Sequence, residues 1–173
     1  MAHPKHEQVR RRYRERCGYC GVAEIDAAGE LTVDHHRPTS SGGDDSDDNL
    51  VYCCSRCNLY KGDFFPSEED QQHNRRVLHP LKDELEKFVR YNEDTGELEP
   101  LTDTGKFHIT LLHLNRPALV AYRNRQRYFA LLAARRELIE AENLQLRAVI
   151  SAQEQYIALL RHLFELSPPE ETG

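Results

Sequence analysis

Two short apolar runs lie on either side of a polar loop in the first half of the chain. Residues 31–33 predict a β-strand that ends at Asp34 and His35, and residues 50–53 predict the strand that returns beside it. Pro38 and the Gly- and Asp-rich stretch between the two runs predict the loop. The pattern therefore predicts a β-hairpin with a polar connection.

A short helix is predicted directly after this hairpin. Ser55 can cap its N-terminus, and the helix extends through Tyr60 or Lys61. Gly62 can then adopt the left-handed conformation with which helices commonly end. Residues 17–63 thus predict a ββα unit, which is too small to fold on apolar burial alone.

The next segment, residues 64–115, predicts short extended pieces separated by turns. Residues 88–91 and 107–114 have the composition of strands, and the polar run 92–96 predicts the turn of a second β-hairpin. The segment also contains four histidines that we interpret as structural rather than catalytic, namely His73, His79, His108 and His113.

The last part of the chain, residues 116–167, predicts one or two long helices. No glycine or proline occurs between Pro117 and Pro168, and residue types that favour helices dominate. Apolar residues recur at intervals of three and four, as in a coiled coil, although polar residues interrupt the pattern. A continuous helix of about 50 residues would extend over roughly 75 Å, more than a small ββα unit can cover.

This helical segment therefore needs a further apolar surface. We expect a homodimer formed through it, or docking onto a larger protein partner; a helical hairpin that folds back near residues 140–143 is the alternative. Residues 168–173 are expected to form a short tail. Together the elements predict an α+β fold, with a ββα unit, a short β-hairpin region and a long α-helical C-terminal tail.

Composition limits the class of protein. Apolar residues make up 39% and charged residues 30%, as in ordinary folded domains, and 173 residues suit one or two small domains. No apolar run reaches the roughly 18–20 residues of a bilayer span, and residues 1–16 lack the apolar stretch of a secretion signal. We therefore expect a cytoplasmic protein with no membrane association.

The formal charge of −6 is unfavourable for binding nucleic acid, but it is unevenly distributed. Residues 1–16 contain six Lys or Arg and two Glu, so this basic arm can contact a phosphate backbone. A solvated helix start or a disordered arm is the alternative. The four Asp between residues 44 and 48 predict a solvated loop, because their spacing does not match a calcium-binding EF-hand.

Four of the five cysteines form two C-x-x-C pairs, Cys17 with Cys20 and Cys54 with Cys57. This spacing is typical of two knuckles that close one tetrahedral Zn²⁺ site, and a structural zinc would supply much of the folding free energy. Two disulfides are the alternative. The fifth cysteine, Cys53, ends an apolar run and is predicted to be a buried free thiol.

The residues between and beside these pairs occur in an order that resembles the HNH endonuclease signature in its four-cysteine form. The resemblance covers residues 17–63 and implies the ββα-metal fold, also called the His-Me finger. Residues 79–88, 101–105 and 114–120 more weakly resemble an extension that follows this unit in bacterial HNH proteins. The matching positions are Asp34-His35, Pro38, Gly42-Gly43, Asn49-Leu50-Val51 and Cys54-x-x-Cys57-Asn58-x-x-Lys61-Gly62.

The resemblance implies a role for each matched polar residue. Asp34 and Asn58 would hold one catalytic Mg²⁺ or Mn²⁺, His35 would be the general base, and Asn49 would brace the loop that aims His35. The chemistry supports these roles, because an imidazole can take a proton from water near neutral pH. Carboxylate and amide oxygens, in turn, suit hard cations.

Two assignments stay open at this point. His36 directly follows His35 and could be the base in its place. Lys61 and Arg37 could neutralise phosphate charge at the active site, or they could be ordinary surface cations.

These features predict a metal-dependent endonuclease that hydrolyses DNA phosphodiester bonds, by nicking or, as a dimer, by cutting both strands. Such an enzyme would suit DNA processing or phage defence. The alternative is a non-catalytic zinc module that binds nucleic acid or a protein partner. No base-reading element is recognisable, so the pattern indicates no DNA sequence specificity.

Overall fold

The computed structural model describes residues 3–27 and 29–166. The chain divides into two compact units, of which the first ends at Arg125 and the second begins at Gln126. The first unit contains the predicted ββα unit and the segment that follows it. The predicted tail, residues 168–173, lies outside the described residues.

Helices and short strands are mixed in the first unit, which confirms the predicted α+β class. Within the described residues both sheets are two-stranded and antiparallel: β1 (Thr32–His35) pairs with β2 (Leu50–Cys53), and β3 (Val89–Tyr91) pairs with β4 (Leu98–Pro100). Short 3-10 turns lie at Thr39–Ser41 and Leu85–Lys87. The helices are α1 (His6–Arg12), α2 (Glu24–Ala27), α3 (Ser55–Lys61), α4 (Glu68–Gln72), α5 (Asp103–Leu111) and α6 (Pro117–Leu166).

The hairpin β1–β2 forms where the sequence predicts it. In its register Asp34 lies opposite Val51, and His35 lies opposite Leu50. All four residues of β2 are fully buried, because α1 packs on the hairpin as well as α3. Strand β2 is thus the centre of the core, and the end of β1 carries the predicted catalytic residues.

Helix α3 has the predicted bounds, but its N-cap differs from the prediction. Cys54 occupies this position in place of Ser55, and its sulfur accepts a hydrogen bond from the backbone N–H of Cys57 at 3.5 Å. A backbone amide that faces a thiolate stabilises its charge, so the cap and the cysteine knuckle are the same structure. Gly62 ends the helix at a positive φ of +49°, but its ψ of −142° differs from the left-handed helical conformation that was predicted.

The predicted second hairpin is right in its first strand and wrong in its second. Strand β3 pairs with β4, across a turn that begins at Asn92, whereas residues 107–111 belong to helix α5. The physical reason is the side chain of Thr102, which accepts a hydrogen bond from the N–H of Gly105 at 3.0 Å. This N-cap favours a helix over a strand.

The basic arm is part of the first unit. Its helix α1 packs on β1 and β2, so residues 6–12 belong to the folded unit and the disordered alternative does not apply to them. Ion pairs between the arm and the acidic ββα segment neutralise part of the charge of both. Any contact between DNA and the lysine or arginine side chains in these pairs therefore competes with the pairs. The pairs join Arg10 to Glu24 at 2.7 Å, Arg12 to Asp48 at 3.2 Å and Lys5 to Asp47 at 3.0 Å.

Helix α6 is one continuous helix of 50 residues. The alternative of a helical hairpin near residues 140–143 is therefore wrong. From Gln126 onward this helix makes up the described part of the second unit. Within residues 3–27 and 29–166, no helix combines the length and the apolar character that crossing a bilayer requires.

Candidate metal centre and active site

The four cysteines of the two C-x-x-C pairs converge at one point. Their sulfur atoms all lie within 4.8 Å of one another, and the Sγ atoms of Cys20 and Cys54 are 3.8 Å apart. A tetrahedral zinc with Zn–S bonds near 2.3 Å places its sulfurs about 3.8 Å apart. All five cysteines are free thiols, so the disulfide alternative is wrong. The cluster therefore fits a structural zinc ion held by Cys17, Cys20, Cys54 and Cys57.

A cation lies beside this cluster. The Nη2 atom of Arg116 is 3.9 Å from the Sγ atoms of both Cys54 and Cys57. Four thiolates around Zn²⁺ leave a net charge of −2, which a neighbouring guanidinium partly offsets. Arg116 lies far from the cysteines in sequence, and no local pattern points to this contact.

Cys53 does not belong to the cluster. It is fully buried at the end of β2, which confirms the predicted free thiol. Burial raises the pKa of this thiol, so it stays protonated and is a weak metal ligand.

Asp34, at the end of β1, is directed into the protein. It is 9% exposed; its Oδ2 atom accepts a hydrogen bond from the Tyr19 hydroxyl at 2.9 Å and lies 3.1 Å from Nζ of Lys61. Burial raises the pKa of this carboxyl, and the charge of Lys61 and the Tyr19 hydrogen bond oppose that rise. The carboxylate thus already has two internal partners.

Lys61 is not available to a substrate. Its side chain is fully buried, and besides Asp34 its ammonium donates to the backbone oxygens of His35 at 2.8 Å and Gly62 at 3.3 Å. The prediction that Lys61 neutralises phosphate charge is therefore corrected. It joins the end of α3 to the end of β1, and so it positions the residues around it.

Asn58, the second predicted ligand of a catalytic cation, is half-buried on α3. Helix α3 packs against β1, which carries Asp34. Within the described residues the Asn58 side chain makes no hydrogen bond, so its amide oxygen is open to a ligand. Asp34 and Asn58 therefore differ: the amide is open, whereas the carboxylate is engaged.

His35 lies beside a carboxylate of the polar loop. Its side chain is 22% exposed, and its Nε2 atom is 2.7 Å from Oδ1 of Asp45. His3 approaches the same oxygen at 3.4 Å. Hydrogen bonds from His35 and His3 hold the pKa of Asp45 below its ordinary value, so this carboxylate is ionised at neutral pH. The loop that was predicted to be merely solvated thus supplies a partner for His35.

The same three residues form a second group of possible metal ligands. One ligand atom from each of His3, His35 and Asp45 lies within 4.8 Å of the others. Two imidazoles and a carboxylate suit transition metals such as Zn²⁺. An ion bound there would occupy one ring nitrogen of His35.

Asn49 braces the polar loop, as predicted. Its Oδ1 atom accepts from the N–H of Arg37 at 2.7 Å, and its Nδ2 atom donates to the backbone oxygens of Arg37 at 3.0 Å and Asp44 at 2.8 Å. The Arg37 oxygen also explains a glycine, because a Cβ atom at Gly43 would lie 1.7 Å from it. The side chain of Arg37 is exposed, so it remains a candidate phosphate contact.

His36 faces the protein. Its ring packs against that of His79 at 4.7 Å, and its Nε2 atom is buried without a hydrogen-bond partner among the described residues. Burial lowers the pKa of His36 to about 4. A ring whose pKa is lowered in this way is a weak base near neutral pH, which favours His35 over His36 as the base.

The four histidines that we interpreted as structural each contact another residue of the first unit. His79 contacts the backbone oxygen of Asp48 at 3.0 Å, and Nδ1 of His108 accepts from the N–H of Leu78 at 3.1 Å. The ring of His113 packs on Tyr60, and His73 contacts the backbone oxygen of Glu69.

Comparison with known proteins agrees with the motif. Residues 17–64 match the family described as HNH endonuclease. No curated protein matches the chain, and no solved structure matches it. With the cysteine cluster, this match identifies residues 17–64 as an HNH domain of the four-cysteine form. In general terms, the match supports a metal-binding and nuclease role for this domain.

Proposed function

We propose that the HNH domain is a metal-dependent endonuclease that hydrolyses DNA, with His35 as the general base and Asp45 as its positioning residue. The observation that carries this proposal is the 2.7 Å contact between Nε2 of His35 and Oδ1 of Asp45. A carboxylate on one ring nitrogen fixes the tautomer and the orientation of the imidazole. The other nitrogen, Nδ1, is then the one that accepts a proton.

Hydrolysis begins when Nδ1 of His35 takes a proton from a water molecule. The water oxygen forms a new bond to phosphorus, while the bond from phosphorus to the departing sugar oxygen breaks and that oxygen takes a proton from solvent. Asp45 stabilises the imidazolium that forms. Asn49 supports this geometry, because it ties the backbone of Asp44 to that of Arg37, next to the two reacting side chains.

A divalent cation, when bound, would neutralise charge on the phosphate and on the departing oxygen. Asp34 and Asn58 offer a carboxylate and an amide oxygen, which suit Mg²⁺ or Mn²⁺. The fit is partial, because Lys61 and Tyr19 already contact the Asp34 carboxylate. A cation there requires the Lys61 ammonium to release a carboxylate oxygen, so the affinity for the cation should depend on Lys61.

Plasmid cleavage tests this proposal. The zinc-loaded protein is incubated with supercoiled plasmid and either Mg²⁺ or Mn²⁺, beside His35→Ala and the matched control His73→Ala, which removes an exposed histidine outside the site. Wild type and His73→Ala should give nicked or linear DNA, and His35→Ala should lose at least about 100-fold in rate, the usual contribution of a general base. Equal rates for His35→Ala and wild type would exclude His35 as the base.

A second candidate function is a zinc module that binds nucleic acid or a protein without cutting. The observation that favours it is the engagement of Asp34 by Lys61, which neutralises the carboxylate that a catalytic cation would use. Band-shift measurements with the same plasmid separate the two functions. Salt-sensitive binding without cleavage under any of the metals would support the binding module over the nuclease.

A further inference from the structure

The second unit exposes large apolar side chains along most of its helix. Between residues 128 and 164 many of them are 45–77% exposed, among them Phe129, Leu146, Ile150 and Phe164. Proteins that stay monomeric rarely expose so large a continuous apolar surface. Some further surface is therefore expected to cover this helix.

One heptad register places about half of these side chains on a single seam. Counting alternately by three and four residues from Phe129 gives apolar residues at most positions and polar residues at three of them. Leu131, Leu138, Leu144 and Leu159 lie outside this seam, and flanking g sites hold Tyr128, Val149, Tyr156 and Leu163. Its a sites are Phe129, Arg136, Asn143, Ile150, Ile157 and Phe164, and its d sites are Leu132, Ile139, Leu146, Gln153 and Leu160.

The residue types on the seam favour two parallel strands. β-Branched residues at a, as at Ile150 and Ile157, combined with Leu at d, as at Leu146 and Leu160, are typical of parallel dimers. Asn143 is at an a site, where one asparagine fixes register and strand number. In a parallel pair in register it meets its own copy. In the single helix its Nδ2 atom donates to the Ile139 oxygen at 2.8 Å. Its amide oxygen has no hydrogen bond within the described part of the chain, so it can accept from that copy.

Charges beside the seam are complementary in the same register. In a parallel pair each g residue faces the e residue five positions later on the other helix. Arg135 then faces the partner subunit's Glu140, and Glu142 faces the partner subunit's Arg147. Both contacts are attractive, and symmetry makes four of them in each dimer. Within one chain Glu140 already accepts from Arg136 at 2.7 Å, so the dimer would place it between two arginines.

We propose that the second unit pairs with the same segment of a second copy of this chain as a parallel, two-stranded coiled coil in register, from Phe129 to Phe164. The apolar seam and the two charge pairs support a second copy of this chain as the binding partner. This proposal does not depend on the proposed nuclease function. The pairing brings two HNH domains into one assembly.

Sedimentation equilibrium of the full-length, zinc-loaded protein tests the strand number. Wild type should be a dimer, and Ile150→Lys should raise the dimer dissociation constant at least about 100-fold, because it places two ammonium groups in the seam. The matched control is Ala148→Lys, which adds the same charge at an exposed f site and should stay dimeric. A monomeric wild type, or a trimer or tetramer, would overturn the proposal.

A charge exchange tests the register. Glu142→Arg turns two attractive contacts into repulsive ones and should raise the dissociation constant about tenfold, while adding Arg147→Glu should restore it. Neither residue has a charged neighbour three or four positions away on its own helix, so the exchange reports on the other strand. A double variant as weak as Glu142→Arg would contradict this register.

Cross-linking tests the orientation. Leu160→Cys keeps Asn143 and should form an intermolecular disulfide in glutathione disulfide with zinc present, because residue 160 meets its own copy only in a parallel pair. Ala148→Cys and wild type should stay uncross-linked under the same conditions. If Leu160→Cys is dimeric but does not cross-link, the helices are antiparallel or out of register, and the proposal is wrong.

Discussion

The Nε2 atom of His35 lies 2.7 Å from the Oδ1 atom of Asp45, although ten residues separate them in sequence. His35 ends a strand, whereas Asp45 lies in the polar loop that Asn49 braces. Rigid backbone on both sides therefore holds a histidine and a carboxylate in contact. This relationship links the fold of the hairpin to the proposed chemistry.

Removing the Asp45 carboxylate should slow DNA cleavage while leaving the fold intact. We expect Asp45→Asn to lose about 10- to 100-fold in rate, as is usual when a partner that orients a histidine is lost. The matched control Asp47→Asn changes the same loop at a residue that contacts Lys5 and Gln8 and should keep the wild-type rate. Equal losses in both variants would show that only the loop structure matters.

Zinc should be required for folding of the first unit, and only the clustered cysteines should hold it. Cys54→Ala should lose the zinc and unfold the unit, because it removes one of four ligands and the N-cap of α3. Cys53→Ala should retain one zinc per chain and cost about 1 kcal/mol, since it only empties a small buried volume. Metal analysis and thermal unfolding of both variants check this. Zinc retained by Cys54→Ala at the wild-type level would contradict the assigned ligand set.

Features coded by neighbouring residues were predictable from the sequence. The strand at residues 50–53, the cysteine pairs and the brace at Asn49 each depend on a local pattern or a motif. Contacts between residues that are distant in sequence were not predictable in this way. His3 and Asp45 are 42 residues apart, and nothing local indicates that they meet.

Two further differences have the same origin. From the sequence alone, Lys61 resembles a surface cation. In the structure it is buried, because the Asp34 carboxylate faces it where β1 contacts α3. The strand composition of residues 107–114 was outweighed by the cap at Thr102, which the apolar pattern does not register. Composition and periodicity therefore indicate where helices and strands can form. Helix caps decide which of the two forms, and buried ion pairs decide which charged side chains are available to a substrate.

Asp34 and Lys61 should behave as a buried pair in unfolding experiments. Lys61→Met leaves the Asp34 carboxylate buried without its cation and should cost about 3–5 kcal/mol of unfolding free energy, while Lys61→Met with Asp34→Asn should cost clearly less. Urea unfolding at fixed zinc concentration measures the coupling. The control Lys82→Met removes a lysine from an exposed pair with Asp48 at 3.6 Å and should change stability by less than about 1 kcal/mol. Additive effects of the Asp34 and Lys61 changes would refute the pairing.

His108 should make the protein less stable in weak acid. It is 3% exposed, and burial lowers its pKa to about 4, against about 6.5 for a histidine in the unfolded chain. Between these values the unfolded state binds more protons than the folded state, so unfolding free energy rises with pH and is lost as pH falls from 6.5 towards 4. The contribution of one such histidine is at most about 1.4 kcal/mol per pH unit.

The variant His108→Gln isolates this contribution, because it keeps an acceptor for the Leu78 N–H and removes the titrating ring. Its unfolding free energy in urea should depend less steeply on pH than that of wild type between pH 4 and 6.5, and the two slopes should agree above pH 7. Loss of zinc in acid affects both proteins alike, so the difference between their slopes reports on His108. Parallel curves over the whole range would mean that His108 is already protonated in the folded state.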